Sequence, residues 1–209
     1  MERLILIGAG GYAKSVLDSV DKFNFRMVGF LDEYKTSGVH LGYPILGNSL
    51  EAVSVPEEYV YFISIGSNRE RRVWYERLRA RGLRLINVID HTAVISEQAT
   101  LGIGCFVGRM AIVNSHAVIG NNCIINTKAL VEHGSRTADH VNLSTNAVIN
   151  GDVRVGTGAF VGSCSVVNGQ KSVGEWSTVG SGAVVVRDVP QGVTVVGVPA
   201  KDIRLRCRV

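Results

Sequence analysis

A glycine-rich loop near the amino terminus is one of two features of this chain whose residue types could do chemistry. An apolar run at residues 3–7 precedes the segment 8–14 (Gly-Ala-Gly-Gly-Tyr-Ala-Lys), where a helical pattern begins. Glycines at the start of a helix let backbone N–H groups approach a phosphate or a sugar. The alternative is that these glycines only allow the helix to pack closely on the strand.

The position of Asp32 helps to define what such a loop would bind. It follows Gly8 by 24 positions, near where a carboxylate that binds the ribose of NAD would fall, and Ala13 is allowed at the third position of the dinucleotide fingerprint. An NAD site is therefore possible. However, about ninety residues with four predicted strands make only half of a dinucleotide domain, so a mononucleotide or nucleotide-sugar site fits better.

Histidines are the second feature, because an imidazole can accept a proton near neutral pH. The chain has five: His40, His91, His116, His133 and His140. His133 lies two positions after an inward-facing aliphatic residue of the repeat described next, so we expect it at a bend. The repeat alone favours an exposed histidine without a role. We expect His116 and His140 to lie on the surface and His91 to be structural.

A six-residue repeat from Ile95 to Val185 must position these side chains. Every sixth residue is a branched aliphatic except Thr137, and the residue two positions earlier is mostly small. An α-helix cannot keep a period of six on one face, and the strands of a sandwich turn at irregular spacing. The pattern predicts a left-handed parallel β-helix in which three hexapeptides form one coil of 18 residues and coils stack about 4.8 Å apart.

The uninterrupted period also predicts which residues stack on one another. His133 should stack on Gly151, which would leave room for a reacting group beside the imidazole and could donate its N–H to a carbonyl oxygen. The pair Gly162-Ser163 should stack on Gly180-Ser181 in the same way.

The first ninety residues show a different pattern. We predict strands at residues 3–7, 27–30, 59–65 and 83–88, with helices after the glycine loop and from Gly66 to about Arg81. Alternating strands and helices imply a small parallel sheet. The predicted fold class is therefore an α/β N-terminal Rossmann-like half-domain at residues 1–90, followed by the left-handed parallel β-helix at residues 91–209.

Composition excludes several classes of protein. The chain is 46% hydrophobic and 19% charged, so it can bury a core. Its net charge of +4 is mild and does not indicate nucleic-acid binding. Neither a signal peptide nor a long apolar span is evident, and the cysteines (Cys105, Cys123, Cys164, Cys207) form no CxxC pair. We expect a cytoplasmic protein without membrane insertion.

Several motifs together resemble the sialic-acid O-acetyltransferase and bacillosamine N-acetyltransferase family. They are the segments 8–14, 30–33 (Phe-Leu-Asp-Glu), 65–68 (Ile-Gly-Ser-Asn), 131–133 (Val-Glu-His) and 197–201 (Gly-Val-Pro-Ala-Lys). Each is weak alone, but in this order with the repeat they are specific and cover nearly the whole chain.

The resemblance implies an activity, partners and a set of site residues. Acetyl-CoA would donate the acetyl group, no metal would be needed, and a homotrimer would hold its active sites between subunits. His133 would be the general base, assisted by Gly151 and Asn142. Residues that would bind the nucleotide-linked amino sugar are Gly10, Gly11, Tyr12, Asp32, Glu33 and Gly66. Residues that would bind the donor are Asn142, Gly162, Ser163, Gly180, Ser181 and Lys201.

The chain departs from the family pattern at two positions. Family members usually carry an acid directly after the catalytic histidine, where this chain has Gly134. That acid would orient the imidazole, so Glu132, Asp139 or Asp152 would have to replace it. A second histidine often follows nine positions after the first, where this chain has Asn142.

The predicted function is N-acetylation of the 4-amino group of a UDP-, dTDP- or GDP-linked 4-amino-4,6-dideoxy sugar for surface polysaccharide or glycan synthesis. The first alternative is O-acetylation of sialic acid or a similar sugar, which should depend more strictly on a strong base. The second is a non-catalytic nucleotide-binding scaffold, which Gly134 and Asn142 keep open.

Overall fold

A computed structural model describes residues 1–205 of the chain and divides the chain into two compact units, Met1–His91 and Thr92–Val209. Each unit has its own cluster of buried apolar side chains. The ligand-binding roles predicted for residues 1–90 and 91–209 stay predictions.

The first unit is a six-stranded sheet with two helices, and its strand order is β3-β4-β2-β1-β5-β6. All neighbouring strands run parallel except β3 and β4, which form a hairpin. The elements are β1 (Glu2–Ile7), α1 (Tyr12–Ser19), β2 (Phe25–Leu31), β3 (Val39–His40), β4 (Tyr43–Gly47), β5 (Tyr59–Ile63), α2 (Asn68–Ala80) and β6 (Arg84–Leu85), with single 3-10 turns at Leu50–Ala52 and Pro56–Glu58. A seventh strand, β7 (Val88–Ile89), follows and is not part of this sheet. Among residues 1–205, no helix is long and apolar enough to span a membrane.

The parallel α/β prediction is confirmed, but two details were wrong. The β3–β4 hairpin escaped notice because β3 has only two residues and β4 contains Pro44. Its turn consists of Leu41 and Gly42, both with positive φ, as a tight hairpin requires. The strand expected at residues 83–88 is instead the two short strands β6 and β7.

The second unit is the left-handed parallel β-helix, so that prediction is confirmed. Each hexapeptide contributes one two-residue strand whose second residue faces the core. The strands are β8 (Val94–Ile95), β9 (Thr100–Leu101), β10 (Phe106–Val107), β11 (Ile112–Val113), β12 (Val118–Ile119), β13 (Ile124–Ile125), β14 (Leu130–Val131), β15 (Arg136–Thr137), β16 (Asn142–Leu143), β17 (Val148–Ile149), β18 (Arg154–Val155), β19 (Phe160–Val161), β20 (Val166–Val167), β21 (Ser172–Val173), β22 (Thr178–Val179), β23 (Val184–Val185), β24 (Thr194–Val196) and β25 (Lys201–Asp202), and a 3-10 turn spans Ile203–Leu205.

Successive strands lie on three sides, which we call A, B and C. Side A contains β8, β11, β14, β17, β20 and β23; side B contains β9, β12, β15, β18 and β21; side C contains β10, β13, β16, β19, β22 and β24, with β25 antiparallel at its end. From β8 to β23 each strand pairs in register with the strand 18 residues away, as Val131 does with Val113 and Ile149, whereas Val179 pairs with Val195.

The bends between sides from Gly104 to Gly182 each place one residue in the left-handed region of backbone space. From Gly104 to Gly182, the residue three positions after each inward aliphatic has φ between 53° and 73°. Most of these residues carry side chains, among them Met110, His116 and Lys128. The stacked coils therefore enforce this conformation at each bend, whatever the residue.

The outward-facing residues differ between side A and side B. On side A all of them are branched aliphatics: Val94, Ile112, Leu130, Val148, Val166 and Val184. Side B instead carries Thr100, Val118, Arg136, Arg154 and Ser172. An aliphatic stripe on one side is typical of a surface that associates with another protein surface.

Candidate functional site

A cavity of about 320 Å³ lies at the carboxyl ends of β1, β2 and β5 in the first unit. In parallel α/β sheets this edge is where ligands bind. All six residues predicted to bind the acceptor line the cavity: Gly10, Gly11, Tyr12, Asp32, Glu33 and Gly66. The structure therefore brings together side chains and backbone from three separate segments of the sequence.

The three glycines of the first loop have different surroundings. Gly8 has a φ of +100°, and a Cβ there would lie 2.6 Å from Ile65 Cγ1, so the fold itself requires glycine. A Cβ at Gly10 or Gly11 would meet nothing within 4 Å. Protein packing does not explain these two glycines, whereas the close approach of a ligand to the backbone would.

The helices that border the cavity begin differently. The hydroxyl of Ser67 accepts a hydrogen bond from the N–H of Glu70 and caps α2. At the start of α1, Gly11 provides no side-chain cap, and the first turn contains no acidic residue. The first turn of α1 thus offers neither a capping side chain nor a negative charge at the positive end of the helix dipole, where an anion is favoured.

Asp32 binds the protein rather than the open cavity. Its Oδ2 accepts a hydrogen bond from Ala9 N at 2.6 Å, and its Oδ1 accepts from Tyr34 N at 3.0 Å and from Lys35 N at 3.1 Å. The carboxylate is 9% exposed. Asp32 therefore fixes the glycine loop, and a direct contact with a ribose stays a prediction.

Arg71 is a residue of this site that the sequence analysis missed. Its side chain is 1% exposed, and its guanidinium donates to Ile65 O at 3.3 Å, Gly66 O at 3.1 Å and Asn68 Oδ1 at 3.0 Å. These bonds hold the backbone between β5 and α2 that forms one wall of the cavity. The signal was available, because Arg71 shares its helix face with Trp74 and Leu78, which face the core.

Trp74 and Arg77, also missed, line the cavity beside Glu33. Arg77 Nη1 donates to Glu33 Oε1 at 2.6 Å, and the guanidinium carbon lies 5.1 Å from the centre of the Trp74 ring. Contacts between residues that are 44 positions apart cannot be read from the sequence.

In the second unit, His133 lies on the bend between sides A and B and is exposed. Its ring covers Gly151 in the next coil: a Cβ at Gly151 would lie 2.5 Å from His133 Cε1 and 2.7 Å from Nε2. The predicted stacking is thus observed. However, the imidazole itself fills the space above Gly151 in which we expected the reacting group. Within residues 1–205, neither the His133 ring nor the Gly151 N–H has a hydrogen-bond partner.

An acidic side chain lies at the position of the missing acid beside Gly134, although it does not bond to the His133 ring. A Cβ at Gly134 would lie 2.2 Å from Asp152 Oδ1, so the carboxylate of Asp152 occupies the place where a side chain at position 134 would begin. Asp152 N also donates to His133 O at 2.9 Å. Of the other two candidates, Glu132 accepts a hydrogen bond from His133 N at 3.1 Å, and Asp139 accepts one from Asn121 N at 2.7 Å.

The predicted donor-binding residues lie away from His133 in the same chain. Asn142 occupies the outward position of β16 on side C but is only 7% exposed, and it lies half a coil after His133, across the β-helix from the bend between sides A and B. Gly162, Ser163, Gly180 and Ser181 form the bend between sides C and A. A Cβ at Gly162 would lie 2.6 Å from Ser181 N, so these two pairs stack as predicted. Lys201 is exposed on β25.

Two expectations about polar residues of the β-helix need correction or comment. His140 was expected at the surface but is 6% exposed, and its Nδ1 lies 2.9 Å from Asn122 Nδ2. Thr137, the polar exception in the aliphatic register, is 4% exposed, with its hydroxyl 3.8 Å from Cys123 Sγ.

Cys105 and Cys123 are buried and Cys164 is exposed, and none of these three cysteines forms a disulfide within residues 1–205. Cys207 lies outside the described residues. Residues 1–205 contain no group of three or more His, Cys, Asp or Glu side chains arranged to hold a metal ion.

Comparison with known proteins relates both units to enzymes. Residues 3–78 match the family described as the PglD N-terminal domain. A mutant of perosamine N-acetyltransferase from Caulobacter crescentus, solved in complex with CoA and GDP-perosamine, is 33% identical, with 97% of each chain covered and a TM-score of 0.90.

Two further solved structures are similar over nearly the whole chain. The acetyltransferase domain of PglB from Neisseria gonorrhoeae FA1090, in complex with acetyl coenzyme A, is 34% identical over 97% of this chain and 99% of that one, with a TM-score of 0.91. WeeI from Acinetobacter baumannii AYE is 26% identical over 97% of this chain and 100% of its own, with a TM-score of 0.88. The predicted fold and acyltransferase activity are confirmed, and the chain belongs to the family of nucleotide-sugar acyltransferases that carry a hexapeptide-repeat β-helix.

Proposed function

We propose that this protein transfers the acetyl group of acetyl-CoA to the 4-amino group of a nucleotide-linked 4-amino-4,6-dideoxy sugar used for surface glycans. The observation that carries the proposal is the pairing of His133 with Gly151. The exposed imidazole lies against Gly151 of the next coil, and neither the ring nor the Gly151 N–H has a hydrogen-bond partner among residues 1–205.

This pairing supplies the two groups that acetyl transfer to an amine needs. The amine nitrogen attacks the thioester carbonyl carbon, and His133 accepts the proton that the nitrogen loses. The N–H of Gly151 donates to the carbonyl oxygen as negative charge develops on it. Collapse of the tetrahedral intermediate breaks the C–S bond, and the departing thiolate of CoA takes up the proton from the imidazolium.

The relatives support both the donor and the acceptor class. The Neisseria domain was solved with acetyl coenzyme A, and the Caulobacter enzyme was solved with CoA and GDP-perosamine. Both are named as acetyltransferases, and the Caulobacter enzyme acts on nitrogen. An amine also depends less on a strong base than an alcohol does, which suits a histidine followed by Gly134.

The cavity of the first unit suits the nucleotide. The uncapped amides at Gly10 and Gly11 would bind the diphosphate, and Asp32 and Arg71 would hold the two loops that surround it. Glu33 and Gly66 would contact the remaining parts of the nucleotide, and Tyr12 would contact the sugar.

We further propose a homotrimer in which side A faces the threefold axis. Six stacked aliphatic residues on that side would be removed from water, at about 25 cal/mol for each Å² buried. In this arrangement the bend between sides A and B of one subunit adjoins the bend between sides C and A of the next.

The trimer would unite residues that a single chain keeps apart. His133 would then lie beside the partner subunit's Ser163 and the partner subunit's Asn142. The stacked bends at Gly162-Ser163 and Gly180-Ser181 would hold the amides of pantetheine, and Lys201 would meet the phosphates of CoA. A complete active site therefore requires two neighbouring subunits.

Release of free thiol from acetyl-CoA, screened over UDP-, dTDP- and GDP-linked 4-amino-4,6-dideoxy sugars, tests the proposal. We expect turnover with one nucleotide class and a product acetylated on nitrogen, identified by mass spectrometry. Sialic acid serves as the comparison substrate. Turnover with sialic acid alone would favour O-acetylation, and turnover with none of these compounds would contradict the proposal.

A further inference from the structure

Arg77 lies at the cavity of the first unit, half exposed and in contact with two other side chains that line it. Its Nη1 donates to Glu33 Oε1 at 2.6 Å, and its guanidinium carbon lies 5.1 Å from the centre of the Trp74 ring. Trp74 is 2% exposed, so the ring provides a rigid support. All three side chains line the cavity, and among its described lining residues Arg77 is the one cation.

The position of Arg77 relative to the glycine loop indicates which part of a nucleotide it would meet. If the diphosphate lies at the start of α1, the ribose and base extend along the carboxyl edge of the sheet toward the end of β2. Glu33 follows β2 directly, and Arg77 is bonded to it. The base would therefore lie against the guanidinium.

The hydrogen-bonding capacity of Arg77 is mostly unused. An arginine has five N–H donors and no acceptor. Among residues 1–205, the bond to Glu33 is the one hydrogen bond that this guanidinium makes, which leaves Nη2 and Nε for a ligand. Because the ion pair and the aromatic ring already orient the planar fork, little entropy is lost when a ligand binds it.

We propose that this cavity selects guanine, with Arg77 donating to O6 and N7 of the base; the inference rests on the proposed nucleotide site. Guanine is the base that presents two adjacent acceptors in the spacing of a guanidinium fork. Adenine presents the donor N6–H₂ next to N7, which opposes a second donor. Thymine and uracil present a single acceptor, O4, at the corresponding edge.

Titration of the full-length protein with GDP, UDP, dTDP and ADP, followed by calorimetry, tests the proposal. We expect GDP to bind at least tenfold more tightly than the other three. Inosine diphosphate keeps O6 and N7 and should bind within about threefold of GDP, while 7-deaza-GDP lacks one acceptor and should bind about tenfold more weakly.

A pair of variants assigns the selectivity to Arg77. Arg77→Lys keeps the charge but removes the fork, so the preference for GDP over UDP should fall to about threefold or less while UDP binding changes little. Arg72→Lys alters an exposed arginine of the same helix, paired with Glu76, and should retain the preference. An Arg77→Lys variant that retains the preference, or a wild-type protein that binds UDP or dTDP as tightly as GDP, would overturn the proposal.

Failure of this inference can be told apart from failure of the proposed function. Acetylation of UDP- or dTDP-linked amino sugars in preference to GDP-linked ones would overturn the guanine assignment and leave the acetyltransferase intact. Tight GDP binding without turnover of any amino sugar would support the guanine assignment and contradict the activity. Binding of none of the four nucleotides would overturn the nucleotide site and the guanine assignment together.

Discussion

The two units of this protein mark their candidate functional residues in opposite ways. In the β-helix every coil repeats the one before it, so a residue of interest is a departure from the repeat, as at the His133–Gly151 stack. In the α/β unit there is no repeat, and the informative residues are those that packing leaves unexplained, such as Gly10 and Gly11 beside the structurally required Gly8. A regular scaffold thus reveals function by exceptions, and an irregular one reveals it by residues without a structural cause.

The largest effect that tests this comparison is expected at His133. We predict that His133→Asn lowers kcat by about 10²–10⁴-fold without lowering the unfolding temperature, because the ring is exposed and is the base of the proposed mechanism. Thiol release and a thermal melt measure the two quantities. The matched control is His116→Asn, which changes an exposed histidine on the same line of bends one coil earlier. A loss below tenfold for His133→Asn would mean that the amine reaches the thioester already neutral and needs no base.

A charge on side A should have the next largest effect. We predict that Val148→Asp destabilises assembly by about 3–5 kcal/mol, because the proposed trimer would bury an unpaired carboxylate. Sedimentation should show monomers, and thiol release should fall with the loss of the shared sites. Val118→Asp places the same charge on side B and should leave the trimer intact. If both variants sediment as the wild type does, side A is not the interface.

Two glycine substitutions compare structural and ligand-related glycines within one loop. Gly8→Ala should lower the free energy of unfolding by about 1–3 kcal/mol, because φ is +100° and the Cβ would meet Ile65. Gly10→Ala should change stability by less than about 0.5 kcal/mol yet weaken nucleoside diphosphate binding. Urea unfolding and calorimetry measure the two effects. The distinction fails if Gly10→Ala is as destabilising as Gly8→Ala.

The smallest effect concerns the pH dependence of the α/β unit. Burial raises the pKa of Tyr61 to about 12, and its hydroxyl donates to Pro56 O. The neutral phenol of Tyr61 contributes to the free energy of unfolding, and the whole contribution is present at pH values below the unfolded pKa near 10. The contribution is lost as the pH rises toward 12. Between pH 9 and pH 11, wild-type stability should therefore fall by about 1 kcal/mol relative to Tyr61→Phe. Urea unfolding at each pH measures the free energy of unfolding of the two proteins. The prediction is wrong if this free energy changes equally with pH in the wild type and in Tyr61→Phe.

The β-helix could be predicted almost completely because its register follows from local periodicity. The stacking of His133 on Gly151 and of Gly162 on Ser181 follows from counting residues. The position of a side chain inside a bend does not, so the period could not show that the imidazole fills the space above Gly151 or that Asp152 reaches the place beside Gly134.

The α/β unit could be predicted only in outline, because its contacts join distant segments. The glycine loop and Asp32 were found from their spacing, and both line the cavity. The bonds from Asp32 to Ala9 N and from Arg71 to Gly66 O depend on how the chain returns to the same edge of the sheet. A buried arginine on an otherwise apolar helix face was the local signal that could have identified Arg71.

The bends that accept almost any side chain at positive φ have a consequence for how this scaffold can change in length. Since glycine is not required at these bends, the backbone conformation there hardly depends on which side chain is present. An insertion or deletion of one complete coil of 18 residues preserves every stack, while other lengths rotate the register onto the wrong side. The length of the β-helix therefore changes in steps of one coil. Each step moves a group by about 4.8 Å along the axis. If the donor binds along the coils as proposed, the distance between its reacting end and its phosphate end would be adjusted in that unit.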